Sequence, residues 1–181
     1  MTPFNIIVAM DEERGIGRKG RIPWHLKGDL RHFKEVTTAT QEPGTRNIVI
    51  MGRKTWDSLP EKFRPLPGRV NVVITRDKNL QLPEGVFPAD GLEHALALCG
   101  HEEVKDVLGA VYVIGGGEIY QQALRHPQCQ RIYVTRIRGS FQCDTFFPDF
   151  ERNFRERSVS PFLSEGAVSY HFAEYVRSDM C

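Results

Sequence analysis

The 181-residue sequence has no apolar run long enough to cross a bilayer, almost no net charge, no paired cysteines and no low-complexity tract. Each lack removes a class of function. A membrane-spanning helix needs about 20 consecutive apolar residues, so no membrane partner is expected. Lys and Arg number 24 against 23 Asp and Glu, a net charge of +1, whereas proteins that hold nucleic acid by neutralising phosphates carry a basic excess. No nucleic-acid partner is expected either. The apolar start from Met1 to Met10 has no basic leader and no small-residue cleavage site, and it runs into Asp11-Glu12-Glu13, which points to a cytoplasmic protein. Cys99, Cys129, Cys143 and Cys181 lie far apart without a Cys-x-x-Cys pair, so they read as reduced thiols with no shared role. The histidines form no His-Glu-x-x-His pattern, and no metal is expected.

The length suits one sizeable core and is short for two; a single domain over residues 1–181 is expected. Its organising stretch is Ile22-Pro23-Trp24-His25-Leu26-Lys27-Gly28-Asp29-Leu30-Arg31-His32-Phe33. Apolar residues recur at helical spacing through Leu26, Leu30, Phe33 and Val36, which predicts a helix starting near Lys27. At about 100° per residue, Asp29 falls inside the apolar arc, between Val36 and Phe33. An unpartnered carboxylate is costly there. Either a cationic or hydrogen-bond-donating ligand meets Asp29, or the helix begins later and Asp29 caps it. Trp24, Leu30 and Phe33 favour the ligand, since apolar walls with one convergent polar group describe a small-molecule site.

Unalternating β-branched runs at 4–9, 47–51, 71–75 and 111–114 read as strands buried on both faces, with the first at the centre of the sheet. Between the first of them and the organising stretch, residues 15–21 pack three glycines into a polar loop. It reads as a surface turn or as a lid beside the chemistry. The second strand ends in Gly52-Arg53-Lys54-Thr55-Trp56, where a short helix should begin, and the third ends in Arg76. If these strands are parallel neighbours, Arg53, Lys54 and Arg76 gather at the carboxyl edge of the sheet, where open α/β folds bind ligands. Residues 60–68 are rich in proline and should connect without repeating structure. Asp90-Gly91-Leu92-Glu93 resembles a capping box before a scaffold helix carrying Leu92, Ala95, Leu96 and Cys99 on one face. The strand at 111–114 stops at Gly115-Gly116-Gly117 and opens into a helix through Glu118, Ile119 and Tyr120. Tyr120 stands where the dinucleotide fingerprint G-x-G-x-x-G needs glycine. What remains is either a tight turn or a backbone that comes close to a pyrophosphate at a helix start. A strand at 131–137, a loop at 139–147 and a last strand pair near 154–160 and 169–176 have no helical pattern between them, so the end of the sheet should be antiparallel. The expected fold class is α/β: a single-domain, mostly parallel central sheet with flanking helices and an antiparallel C-terminal strand pair.

Taken in order, the blocks Ile16-Gly17 with Ile22-Pro23-Trp24, Asp29-Leu30 with Phe33, Met51-Gly52-Arg53-Lys54-Thr55-Trp56, Pro65-Leu66-Pro67-Gly68-Arg69, Ile114-Gly115-Gly116-Gly117 with Tyr120, and Asp144-Thr145 with Phe147-Pro148 make the chain resemble dihydrofolate reductase along nearly its whole length. That resemblance implies NADPH-dependent reduction of 7,8-dihydrofolate to tetrahydrofolate, in support of one-carbon and thymidylate metabolism. It implies NADPH as cofactor, dihydrofolate and antifolate inhibitors as small-molecule partners, and a monomer without room for a fused synthase domain. Asp29 would orient the pterin and support protonation at N5 through water, with Thr135 bonding it from behind and Trp24 and Ile22 completing the catalytic set. Ile7, Leu30, Phe33, Leu59 and Ile114 would wall the substrate, and Arg69 would pair with its glutamate carboxylate. Ala9, Ile16 and Tyr120 would lie near the cofactor's nicotinamide end, and Ile119 would also contact the cofactor. Arg53, Lys54, Thr55, Thr75 and Arg76 would contact its phosphates, their charge favouring NADPH over NADH. Gly116, Gly117 and Glu118 would face the pyrophosphate, and Gly115-Gly116 would be a cis peptide. Gly17 and Asp144 would set the lid.

The sequence departs from the family pattern at Ile22, where many bacterial relatives carry methionine, and at Gly20, where asparagine is common. Glu61-Lys62-Phe63 resembles the insertion of longer family versions. The alternatives are a related NADPH-dependent pyrimidine reductase and a non-catalytic pterin- or nucleotide-binding protein. Asp29 within a Pro-Trp-x-Leu-x-x-Asp segment argues against the first, and the occupied catalytic positions against the second.

Overall fold

The computed structural model describes residues 1–102 and 105–179; Cys181 lies outside them. The chain forms β1 (Phe4–Met10), β2 (Gly15–Gly17), α1 (Lys27–Thr38), β3 (Arg46–Gly52), α2 (Arg53–Ser58), one 3-10 turn (Glu61–Phe63), β4 (Val70–Ile74), β5 (Val86–Ala89), α3 (Leu92–Cys99), β6 (Leu108–Val113), α4 (Gly117–Arg125), β7 (Cys129–Ile137), β8 (Thr145–Phe146), β9 (Phe154–Val159), β10 (Leu163–Glu165) and β11 (Val168–Arg177). A nine-stranded sheet runs β10-β11-β7-β1-β6-β3-β4-β5, with β9 added on β11.

The unalternating apolar runs become central strands because both faces of the sheet are covered. Ile6, Val8 and Met10 point with Ile48 and Ile50 into a core closed by Leu92, Ala95 and Leu96 of α3 and Ile119 and Ala123 of α4. Ile7, Val49, Met51 and Val73 point the other way, against Trp56, Leu66, Phe33, Val36 and Leu59. β1 is parallel to β6 and β7, and β3 is parallel to β4 and β6. After β1 the chain crosses over β6's place to build β3, β4 and β5, then returns to insert β6 between β1 and β3. The carboxyl ends beside β6 are therefore where the winding reverses. β11 is antiparallel to β7, β9 and β10, as the missing crossover helix requires.

Several local expectations need correction. The loop 139–147 contains β8, which pairs with β2 of the glycine-rich loop; strands of two and three residues are too short to show a period. The connection 60–68 holds one 3-10 turn and a cis Arg64-Pro65 bond. The strand pair at the end is joined by a third strand, β10, and β5 escaped notice because Pro88 interrupts it, a residue tolerated at the sheet edge where β5 lies. No capping box forms at α3. The N-cap is Gly91, and Asp90, one residue too early, turns its backbone N–H to His94 Nδ1 at 3.2 Å. Among the described residues no helix is long and apolar enough to cross a membrane.

One buried side chain ties the carboxyl end of α1 to the sheet. Asn47, 1% exposed, donates through Nδ2 to the Thr37 and Ala39 carbonyls at 3.1 and 2.7 Å and accepts the Ala110 amide on Oδ1 at 2.8 Å. Asn47→Ala strips three backbone groups of partners, so it should lower unfolding free energy by about 2–4 kcal/mol. Urea unfolding should show the midpoint falling with little change in slope; a loss within error would mean that water replaces the amide at no cost.

Candidate active site

Helix α1 starts at Lys27, and its N-cap, Leu26, makes no side-chain cap bond. Asp29 therefore sits in the first turn and does not cap the helix. Its Oδ1 accepts the Thr135 hydroxyl at 2.6 Å, across 106 residues of sequence. Thr135 belongs to β7 and is 3% exposed. Burial pushes the Asp29 carboxyl above the ordinary carboxylate value; the Thr135 bond opposes the rise, and the charge of Glu165 adds to it. A carboxyl in this state accepts a proton more readily than one in water.

Four of the five expected wall residues meet. Ile7, Phe33, Leu59 and Ile114 pack into one apolar cluster. Leu30, next to Asp29 in the chain, and Ile22 stay 55% and 64% exposed. Trp24 is half-buried and edge-on to Phe141 at 5.2 Å. The Tyr120 hydroxyl faces two carbonyls, those of Ile7 and Ile114, each at 2.8 Å, and can donate its one proton to either. Arg69 is buried, with Nε on the Pro67 carbonyl at 3.0 Å and its terminal nitrogen on the Thr37 hydroxyl at 2.9 Å. Both partners are neutral, and the guanidinium lies over the Phe33 ring.

The second half of the site lies along the carboxyl edge of β3, β4 and β6. The Gly52 amide donates to the Gly115 carbonyl at 2.8 Å, and Gly115-Gly116 is a cis peptide. A Cβ on Gly116 would lie 3.4 Å from Thr55 Oγ1, so Gly52, Thr55 and the glycine run are neighbours. Gly116 is the N-cap of α4 and also offers no side-chain cap, which leaves the first amides of that helix without intrahelical partners. A Cβ on Gly117 would strike Thr145 and approach Ile16, so α4 begins directly beneath the β2–β8 pair. Lys54 and Arg76 are exposed. Arg53 is committed: it reaches Asp77 at 2.9 Å and Asp57 at 3.4 Å. Thr75 accepts the Asp77 amide on its hydroxyl at 3.0 Å. Ala9 packs beside Trp24 and Leu26. Glu118 is exposed on the first turn of α4, and Ile119 is buried below it.

The glycine-rich loop is held at both shoulders. Asp144 accepts the Lys19 amide on Oδ2 at 2.8 Å and gives its own amide to the Gly17 carbonyl at 2.9 Å. Asp11, missed in the sequence because it reads as the start of an acidic surface run, is 1% exposed. Its Oδ1 takes the Gly15 and Glu13 amides at 2.7 and 3.0 Å, and its Oδ2 takes the Phe141 amide at 3.0 Å. Cavities of about 370 and 340 Å³ lie elsewhere, one lined by Arg131, Arg155 and Arg157, the other by Thr2, Asn5, Cys99 and Val111. None of the expected site residues lines either.

This arrangement can be set beside known proteins. A sequence model described as "Dihydrofolate reductase" matches residues 3–177. The chain belongs to the dihydrofolate reductase family. Dihydrofolate reductase of Heliothis virescens is 40% identical over 181 residues, 95% of this chain and 96% of that protein, and the Drosophila melanogaster enzyme is 42% identical over 157 residues, 86% and 85% of the two chains. The solved Schistosoma mansoni dihydrofolate reductase superposes with a TM-score of 0.86 at 34% identity, over 97% of this chain and 98% of that one. The bifunctional dihydrofolate reductase-thymidylate synthase of Glycine max is 40% identical over 96% of this chain but only 33% of its own length; the chain spans about a third of the plant bifunctional relatives it matches. Family membership agrees with the mixed α/β sheet expected of the chain.

The raised Asp29 pKa sets the sign of this one group's contribution to the pH dependence of stability. Below the ordinary carboxylate pKa Asp29 is protonated folded or unfolded, and it contributes no pH-dependent penalty. As pH rises past that value the unfolded chain ionises while the folded chain holds its proton, so stability falls until pH passes the folded pKa. Asp29→Asn should thus raise the thermal midpoint at pH 7 to 8, with the gain vanishing below about pH 4. Calorimetry across pH tests this; a constant difference at every pH would show that Asp29 titrates normally.

Proposed function

We propose that the chain reduces 7,8-dihydrofolate to 5,6,7,8-tetrahydrofolate with NADPH. The observation that carries the reading is Asp29, a carboxylate in the apolar wall of α1 whose raised pKa reflects burial and whose protein hydrogen bond comes from Thr135. The family relatives named above support the substrate class. A carboxylate can accept two parallel hydrogen bonds from the amino-pyrimidine edge of a pterin, much as it would from a guanidinium. Held there, Asp29 orients the ring and supports protonation of the substrate's N5 through water. Thr135 fixes the carboxylate from behind, and Trp24 and Ile22 close the neighbourhood. Ile7, Leu30, Phe33, Leu59 and Ile114 contact the pterin and benzoyl parts. Arg69, a buried cation with neutral partners, receives the glutamate α-carboxylate.

The residues present fit the cofactor. The first turn of α4 presents amides at Gly117, Glu118 and Ile119 to an anion, and the bare Cα of Gly116 beside Thr55 leaves room for close approach. Lys54 and Arg76 stand at the adjoining strand ends as exposed cations for a 2′-phosphate, with Arg53, Thr55 and Thr75 beside them. Ala9, Ile16 and Tyr120 flank the nicotinamide end, and Gly17 with Asp144 sets the lid. NADPH, when bound, supplies the hydride that C6 of the substrate accepts. The chain acts as a single domain over residues 1–181, as a cytoplasmic monomer, and its pterin site is open to antifolates.

Loss of NADPH absorbance by the purified protein, with and without dihydrofolate, decides the matter. Oxidation that requires dihydrofolate and prefers NADPH to NADH is expected, and Asp29→Asn should cut turnover near neutral pH by at least about 100-fold while leaving NADPH binding intact. A folded protein that binds NADPH without oxidising it would be a sensor or a pyrimidine reductase. Cofactor choice has its own test. Arg76→Ala should weaken NADPH by about 10- to 100-fold and NADH hardly at all, with a smaller loss for Arg53→Ala because that side chain already serves Asp57 and Asp77. Equal losses for both cofactors would move the 2′-phosphate elsewhere.

A further inference from the structure

The amino end of α1 is completed by a residue far along the chain. Leu26 brings no capping bond. Instead Glu165, on β10, accepts the Lys27 amide on Oε2 at 2.8 Å and the Gly28 amide on Oε1 at 2.7 Å. These are two of the first-turn N–H groups that a helix cannot satisfy internally, and a carboxylate there also meets the positive end of the helix dipole. The crowding at this helix start accounts for Gly28, a poor helix former. A Cβ at that position would strike the Tyr170 hydroxyl and come within 3.4 Å of Glu165 Oε1. Asp29 is the next residue.

We propose that Glu165 is a positioning residue for Asp29: its carboxylate fixes the first turn of α1 through both amides and places a second negative charge beside the Asp29 carboxyl. Glu165 acquires that role only if Asp29 has the place in the reaction given above. A like charge disfavours the ionised form, and Glu165 adds to the rise that burial already imposes on Asp29. The other groups facing Asp29 do not supply that charge. Thr135 of β7 donates a hydrogen bond. The hydroxyls of Tyr120 on α4 and Tyr170 on β11 are raised by burial first and then by the nearby carboxylates, so both are neutral at ordinary pH. Lys27 and Arg31, on the same helix, are exposed. Glu165 thus adds its negative charge to the larger effect of burial in favouring the protonated Asp29 carboxyl.

Two variants separate charge from geometry. Glu165→Gln keeps the shape and one carbonyl acceptor but removes the charge; Glu165→Asp keeps the charge and shortens the reach. Glu165 lies half-buried on a hairpin, so neither change empties the core. The Asp29 carboxyl is titrated by 13C NMR in the chain without ligands, and dihydrofolate-dependent NADPH oxidation is followed across pH. In Glu165→Gln the Asp29 pKa should fall by about 0.5–1 unit, against less than about 0.3 in Glu165→Asp. The pH profile of turnover should move the same way, with rates above neutrality down by about three- to tenfold and KM changed by less than about twofold. An unmoved Asp29 pKa in folded Glu165→Gln overturns the proposal, as does an equal fall in both variants. Absence of turnover in the unaltered protein would instead defeat the function proposed above, while the NMR titration still decides what Glu165 does to Asp29.

Discussion

A carboxylate in an apolar wall is the constraint around which the structure is arranged. Asp29 cannot be left to find its own place, because a buried charge with loose partners would draw in water or unfold its surroundings. The fold answers by holding α1 at both ends and along one side. Asn47 fastens the carboxyl end to β3 and β6, Glu165 the amino end to β10, and Thr135 fixes the carboxylate itself from β7. His32 stacks on Phe172 of β11 at 3.7 Å between them. The helix is short, and its own propensity is weakened by Gly28, so these remote contacts outweigh local preference in deciding where it lies.

The glycine-rich loop shows the complementary arrangement. Its root is fixed by Asp11, whose two oxygens gather amides from both the loop and residues near Phe141, and its shoulder is fixed by Asp144. Its tip, with Lys19 and Gly20 at positive φ, is exposed. The loop is thus anchored by Asp11 at its root and by Asp144 as far as Lys19, with Gly20 beyond the last of these bonds. Ile16, next to the start of α4, and Ile22, still in water, lie on either side of that tip, so movement there would alter the surroundings of both the glycine run and Asp29.

What the sequence made legible follows from what sequence patterns can encode. Runs such as Phe4-Asn5-Ile6-Ile7-Val8-Ala9 report burial on two faces, and the helical spacing of Leu26, Leu30, Phe33 and Val36 reports one face. The first survives in the structure; of the second, Phe33 and Val36 pack on the sheet, while Leu30 stays exposed and Leu26 is the N-cap, packed in a different cluster. The placement of Arg53, Lys54 and Arg76 on one edge followed from parallel pairing of β3 and β4, a global rule that the local text permits. What was not legible is polar pairing at long range. Nothing near Asn47 in sequence announces Ala110, nothing near Glu165 announces Gly28, and Asp11 looks like the first of three solvated acids. The same limit explains Arg53, which resembles a free cation until β4 brings Asp77 beside it. Strands of two or three residues, such as β8 and β10, carry no period, and Pro88 disguised β5.

The start of α1 shows why such failures gather at a site. Leu26 occupies the position that a serine or aspartate would fill in a self-sufficient helix, but the core requires an apolar side chain there: Leu26 is 3% exposed and packs with Ile137 and Tyr170. A local cap is therefore excluded, and the cap must come from elsewhere in the fold. The Tyr170 hydroxyl stands where a Cβ at position 28 would lie, and so glycine follows. Both residues are poor choices for a helix start taken alone and consistent ones once β10 and β11 are in place. Local rules are broken where the fold needs a carboxylate held to a fraction of an ångström, and the break is compensated across the molecule. A conflict between a helix's own residues and its evident position is thus a pointer to the contact that resolves it, and here that contact ends one residue from Asp29.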